Sequence, residues 1–273
     1  MSDRNTWPLA LSVRPETMNT AAFDELAGAG IFHIELSSGS IDPYYSVIDF
    51  PNRSKEITQL AAQSGVTISS VHLPFGPFAE IDPASKDPSV RNHFLRIQTE
   101  LLEAAARAEI GLAIVHPSGE PYEENEREER LSYAIDTIGR LCHTAVSLGV
   151  TLCLENLPRT CLCRTSDEMR LFLEAIPELR VVFDTNHSLK EDNVHYIRSV
   201  GSRIRSLHVS DYDFIDEKHW LPGEGLNPWE EIFSTLEEVG YTGRFLYEVK
   251  NPCPAKVAEN YRKLMNKRME GTR

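Results

Sequence analysis

Long apolar runs are missing from this 273-residue chain. None approaches the ~20 residues that a bilayer-spanning helix needs, so no membrane span is expected. The polar opening MSDRNTWP has no apolar core of the kind a secretory leader carries. Cysteine is scarce: five residues, an odd number scattered along the chain, make no disulfide framework and point to a reduced, cytoplasmic setting. Positive charge is also short, with 28 Lys+Arg against 41 Asp+Glu and a net charge of −13. Nucleic acid recruits a basic face, so this balance argues against a polyanion as the main partner. A small anionic substrate stays compatible, because a few local cations suffice. No Gly-x-Gly-x-x-Gly follows the first apolar run, which argues against a dinucleotide site, and no nucleotide cofactor is expected. No linker or low-complexity stretch divides residues 1–273, so a single domain is expected.

What is present is a repeating unit. Short apolar runs recur at 9–13, 31–36, 66–73, 112–117, 150–156, 180–185, 204–211 and 244–249. They are mostly continuous rather than alternating, which suits strands buried on both faces of a parallel sheet. Between them AAFDELAGAG, FLRIQTELLEAAARAE, LSYAIDTIGRLCHTAVSLG and WEEIFSTLEEVG place apolar residues three and four apart, the helical spacing. Several of these segments end at a glycine just before the next run (Gly30, Gly65, Gly111, Gly149, and Gly240 or Gly243), as helix C-termini do. EPYEENEREER at 120–130 reads as a loop entering a solvated helix, and a closing helix is expected over about 255–268. Eight strand–helix units in a chain of this size predict an α/β fold, a (β/α)8 TIM barrel. A doubly wound open sheet is the rival, since periodicity does not show closure.

In such a barrel the C-terminal strand ends open on one face, and chemistry collects there. Those ends carry Glu35, His72, His116, Glu155-Asn156, Asp184 to His187, His208 to Asp211, and Glu248, and five of the nine histidines (72, 116, 187, 208 and 219) lie on or just after them. A single histidine is more often a packing residue than a ligand. Carboxylates that end apolar strands are different, because a buried charge needs a partner. Glu155, Asp184 and Glu248 have that problem on three strands, and His208 supplies an imidazole on a fourth, so a shared metal site is expected. His33, His93, His143 and His195 read as structural or exposed, and Cys161 and Cys163 as ordinary loop thiols. Arg159 and Arg164 are candidate anion contacts beyond the fifth strand. Trp7, Trp220 and Trp229 either stack on substrate or pack, and only Trp220 stands between two pocket motifs.

The segments HLPF (72–75), VHPSG (115–119), LENL (154–157), FDTNH (183–187), SLHVSD (206–211), HWLPGEG (219–225) and YEV (247–249) occur one per strand and in this order. Together they resemble the sugar phosphate isomerase/epimerase superfamily, the xylose isomerase-like TIM barrels, over nearly the whole chain. The resemblance implies a divalent metal, Mn²⁺ or Zn²⁺ with Mg²⁺ also compatible, on Glu155, Asp184, His208 and Glu248. It implies a substrate- or metal-contacting role for His187. The implied reaction is isomerisation or epimerisation of a sugar, sugar phosphate or keto-sugar by proton transfer through a metal-stabilised enediolate, with Glu155 and Glu248 as the acid/base pair. A keto-sugar dehydratase or lyase would begin from the same enolate. Some ketose epimerases of the family place an Arg after the strand-7 ligand, where this chain reads DYDFIDEKHW, which argues against the usual free ketose. The superfamily also holds endonuclease IV-type abasic-site nucleases, whose three-zinc site would draw on His72, His116, His187 and His219 with Asp211 or Asp216. The net charge ranks that reading second. A barrel that binds sugar without turning it over is the third. A homo-oligomer is compatible with each.

Overall fold

The computed structural model describes residues 7–270. The eight apolar runs are its strands: β1 (Leu9–Val13), β2 (His33–Ser37), β3 (Thr67–His72), β4 (Leu112–Val115), β5 (Thr151–Glu155), β6 (Arg180–Asp184), β7 (Ile204–His208) and β8 (Phe245–Tyr247). They form one parallel sheet in the order β7-β6-β5-β4-β3-β2-β1-β8. The two ends meet at a single bridge, Val209 against Tyr247. There the Val209 amide donates to Leu246 O at 2.8 Å and the Glu248 amide donates to Val209 O at 3.1 Å. That short seam makes the sheet a barrel and removes the open-sheet rival.

Helices cover the outside: α1 (Thr20–Ala29), α2 (Phe50–Gln63), α3 (Pro88–Arg107), α4 (Arg127–Ser147), α5 (Ser166–Ala175), α6 (Asn193–Val200), α7 (Trp229–Glu238) and α8 (Pro254–Glu270). Among the described residues no helix is long and apolar enough to cross a membrane. Side-chain oxygens of Asn19, Asp87 and Asp192 accept amide hydrogens at the starts of α1, α3 and α6. Gly30, Gly65, Gly149 and Gly240 take positive φ after their helices, as expected. Gly111 does not: Glu109 (φ 61°) makes that turn, and Gly111 leads straight into β4. The closing helix is tied to the chain start by Tyr261, whose hydroxyl donates to Trp7 O at 2.6 Å. Trp7 and Trp229 are buried packing residues, while Trp220 is 38% exposed.

Strand alternation decides which residues line the barrel. Leu152 and Leu154 join the large apolar core beneath the helices, so Cys153 and Glu155 face the other way. A small inner cluster of Ile114, Cys153 and Val182 fills the barrel below the strand ends. Two residues above Cys153 and Val182 on the same inner face come Glu155 and Asp184. The register that buries the leucines therefore presents the carboxylates to the mouth.

Candidate metal centre

Glu155 is the hub. Its Oε2 lies 2.9 Å from His72 Nε2 and 3.1 Å from His116 Nε2, and its Oε1 lies 2.9 Å from His208 Nδ1. His208 Nδ1 also lies 3.4 Å from Glu248 Oε2, reaching across from β7 to the end of β8. One ligand atom from each of Glu155, Asp184, His208 and Glu248 falls within 4.8 Å of the others. The ends of β5 and β6 are clamped by Asn156, whose side chain donates to Asp184 O at 2.9 Å and accepts from the Asp184 amide at 2.7 Å.

A divalent cation fits this donor set. Asp184 Oδ1 accepts the Asn186 amide, but Oδ2 is buried with no hydrogen-bond partner. His187 Nε2 stands 3.6 Å from Oδ2, beyond hydrogen-bond reach. An interior carboxylate oxygen without a hydrogen bond is costly, and a cation shared with three neighbouring ligands would satisfy it. The electrostatics agree. Burial, then the charges of Glu248 and Glu155, push the Asp184 carboxyl well above its ordinary range. Burial disfavours charge on His208, yet Glu248, Glu35 and Glu155 outweigh it and raise the imidazole well above its usual value. Burial works against Glu155 ionisation too, but the His208 charge and hydrogen bonds from the histidines hold it well below the usual range. His116, where burial dominates, is lowered. In the metal-free cluster these shifts favour the protonated forms of His208 and Asp184, and His72, though burial works against its charge, is raised as well by pairing with Glu155.

The histidines are oriented from behind. His72 Nδ1 meets Leu73 O at 2.9 Å, His187 Nδ1 meets Asn156 O at 2.8 Å, and His219 Nδ1 meets Glu248 O at 3.1 Å. A carbonyl only accepts, so each Nδ1 donates; His72 Nε2 donates in turn to Glu155, while His187 and His219 keep Nε2 as the atom left to ligate. His116 is braced by Phe75, stacked on it with centroids 4.1 Å apart.

Beside the first group stands a second: His187, Glu217 and His219 offer ligand atoms within 4.8 Å of one another. Its acid is neither of the two expected from the sequence. Asp211 is wholly buried and accepts from the amides of Tyr212, Gly223 and Asn227 and from Trp229 Nε1, so it organises the loop instead of facing the cluster. Asp216 is half-exposed and pairs with Arg159. Glu217 carries its own signal, a Glu-x-His spacing with His219 that brings both carboxylate and imidazole to the same place. Glu35, placed by the sequence at a strand end but given no role there, is the other residue whose part went unread: at the inner face of β2 it lies 2.9 Å from His208 Nε2. The two arginines are already paired, Arg159 with Glu120, Asp216 and Glu217, and Arg164 with Glu124. They line a rim cavity of about 430 Å³ with Leu189, Lys190, Phe214 and Ile215.

Parallel strands closed into a ring, with buried acids and imidazoles gathered at their C-terminal ends, define a (β/α)8 barrel with its ligand-type side chains at the mouth. The chain belongs to the xylose isomerase-like TIM barrel family, whose sequence profile matches residues 23–268. It is similar to a D-psicose 3-epimerase of Ruminiclostridium cellulolyticum, 27% identical over 235 residues, which cover 82% of this chain and 76% of that protein. A fructoselysine 3-epimerase of Escherichia coli O157:H7 is 29% identical over 114 residues, covering 40% of this chain and 42% of its own. The crystal structure of a D-tagatose 3-epimerase-like protein superposes with a TM-score of 0.79 at 25% identity, covering 96% of this chain and 99% of its own.

Proposed function

We propose that the protein is a divalent-metal-dependent sugar epimerase or isomerase acting on a ketose or keto-sugar. The observation that carries the reading is the group of four ligand atoms within 4.8 Å, among them Asp184 with a buried oxygen that makes no hydrogen bond. Glu155, Asp184, His208 and Glu248 would hold the cation. When bound, it supplies Lewis acidity toward adjacent oxygens of a hydroxy-ketone. Glu155 and Glu248 are the acid/base pair. They enter from β5 and β8, so one can take the proton beside the carbonyl and the other can return it to the opposite face. Glu248, with a side chain 22% exposed, is the one open to solvent exchange. His187 and His219, steadied by carbonyls, would contact substrate hydroxyls, and His72 and His116 keep Glu155 ionised.

The test is turnover of D-psicose or fructoselysine in D₂O by the metal-loaded protein. Solvent deuterium at C3 of the product is expected, because the carboxylic acid that returns the proton to carbon exchanges it with water first. Product carrying the original hydrogen on a neighbouring carbon would instead mean a hydride shift. Glu155→Gln together with Asp184→Asn should abolish metal binding, since two anionic ligands are lost; unchanged metal content would reject the ligand assignment.

One observation favours the nuclease as second reading: His187, Glu217 and His219 form a ligand group beside the first, and His72 adds a further imidazole to Glu155 and His208. Metal analysis separates the two, with about one ion per chain expected for the epimerase and about three for a repair-type cluster. Incision of an abasic duplex that is lost on chelation would reverse the ranking. Against it stand the net charge of −13 and the mouth arginines already committed to carboxylates.

A further inference from the structure

We propose that Glu35 is a positioning residue that fixes the His208 tautomer and strengthens its hold on a divalent cation; the inference rests on the metal reading above. His208 is wholly buried, and its two ring nitrogens face different carboxylates. Nδ1 lies 2.9 Å from Glu155 Oε1 and 3.4 Å from Glu248 Oε2, so this nitrogen faces the ligand group. Nε2 lies 2.9 Å from Glu35 Oε1, behind the ring. Glu35 does not itself belong to the ligand group, for its other oxygen accepts the Ser70 hydroxyl at 2.7 Å. With Nδ1 offered to a cation, Nε2 carries the proton and donates it to Glu35.

The placement is expensive. Glu35 is completely buried between Ile34 and Leu36 of an apolar strand, and an interior carboxylate is tolerated only with strong partners. Ser70 and His208 are those partners. Among the cluster histidines, His72, His187 and His219 lean on backbone carbonyls, whereas His208 leans on a carboxylate. A carboxylate behind a ligating imidazole raises the basicity of the ligand nitrogen and holds the ring in the ligating plane. Glu35 therefore acts on the cation through His208 without touching it.

Glu35→Gln is the test, because glutamine keeps the shape and can still accept from Nε2–H while removing the charge. Mn²⁺ titration of the chelator-treated protein should give a Kd raised by about 10- to 100-fold, the usual worth of such a partner. The circular dichroism of the metal-free variant should match wild type, which separates this role from a merely structural one. In Zn²⁺-loaded protein with ¹⁵N-labelled histidine, the His208 proton should reside on Nε2, and its resonance should move upfield in the variant. A folded E35Q with wild-type Mn²⁺ affinity, or a His208 proton found on Nδ1, would overturn the proposal. If E35Q does not fold, Ser70→Ala carries the test by loosening Glu35 alone: a severalfold rise in Kd supports the role and an unchanged Kd rejects it. Wild-type protein that binds neither ion would sink the metal reading itself, whereas a metal-binding wild type with insensitive variants sinks only the part given to Glu35.

Discussion

Cation binding should release protons from His208 and Asp184, up to one from each, wherever the pH lies below their raised values. In the metal-free cluster both groups are held above their ordinary values, His208 because three carboxylates outweigh its burial, Asp184 because burial and two neighbouring charges disfavour its ionisation. A ligating imidazole must be neutral and a ligating carboxylate ionised, so both protons leave when the cation enters. The sign follows: affinity rises with pH for as long as the pH stays below those raised values. Each proton held by the metal-free protein is worth one tenfold step per pH unit, about 1.4 kcal/mol, so Kd falls by up to about 100-fold per unit where both are held. Isothermal titration of Mn²⁺ in two buffers with different heats of ionisation counts the protons directly. Asp184→Asn should bring the count to one at most, with weaker binding. A release below about half a proton in wild type would refute the charge balance drawn for the cluster.

The metal-free protein should also lose stability as pH rises. The folded-state value of His208 lies above its unfolded value of about 6.5, so its contribution is complete below that pH and is lost as pH climbs through the raised value. Chelator-treated protein should therefore have a lower Tm at pH 9 than at pH 7 by thermal denaturation. Asp211→Ala leaves four donors without their acceptor, at about 1–3 kcal/mol for each that stays dry. Urea denaturation should show a loss of several kcal/mol, with metal content unchanged by elemental analysis. At Gly225 a Cβ would stand 2.4 Å from both Asp211 Oδ1 and Tyr212 O, so Gly225→Ala should cost about 1–3 kcal/mol in the same assay.

The strands were legible because a parallel barrel needs runs that are apolar on both faces, and such runs stand out against amphipathic helices. Glu155, Asp184 and Glu248 were legible for the same reason, each being a charge at the end of an apolar stretch. Glu35 has the identical signature in FHIEL, yet its partner His208 is 173 residues away, and only ring closure shows what the carboxylate serves. The loop after β7 was harder. Asp211, Asp213, Asp216 and Glu217 are alike in composition, and what separates them is which backbone amides the fold points at each. Asp211 captures the turn that α7 requires, which leaves Glu217 for the histidines. The misplaced turn at Gly111 has a local cause: α3 ends at Arg107, so the left-handed residue falls on Glu109, two positions ahead of the glycine.

The barrel closes at its thinnest joint, where a single bridge and two amide hydrogen bonds join β7 to β8. His208 stands at the end of one lip and Glu248 at the end of the other, with Val209 between them in the seam. A cation gripping both would be a clasp on the hoop, fastening it where the backbone fastens it least. Metal occupancy is then written into the mechanics of the whole ring. The amide hydrogens of Val209 and Glu248 should exchange with solvent fastest in the stripped protein and be the first to fall silent when the clasp is shut.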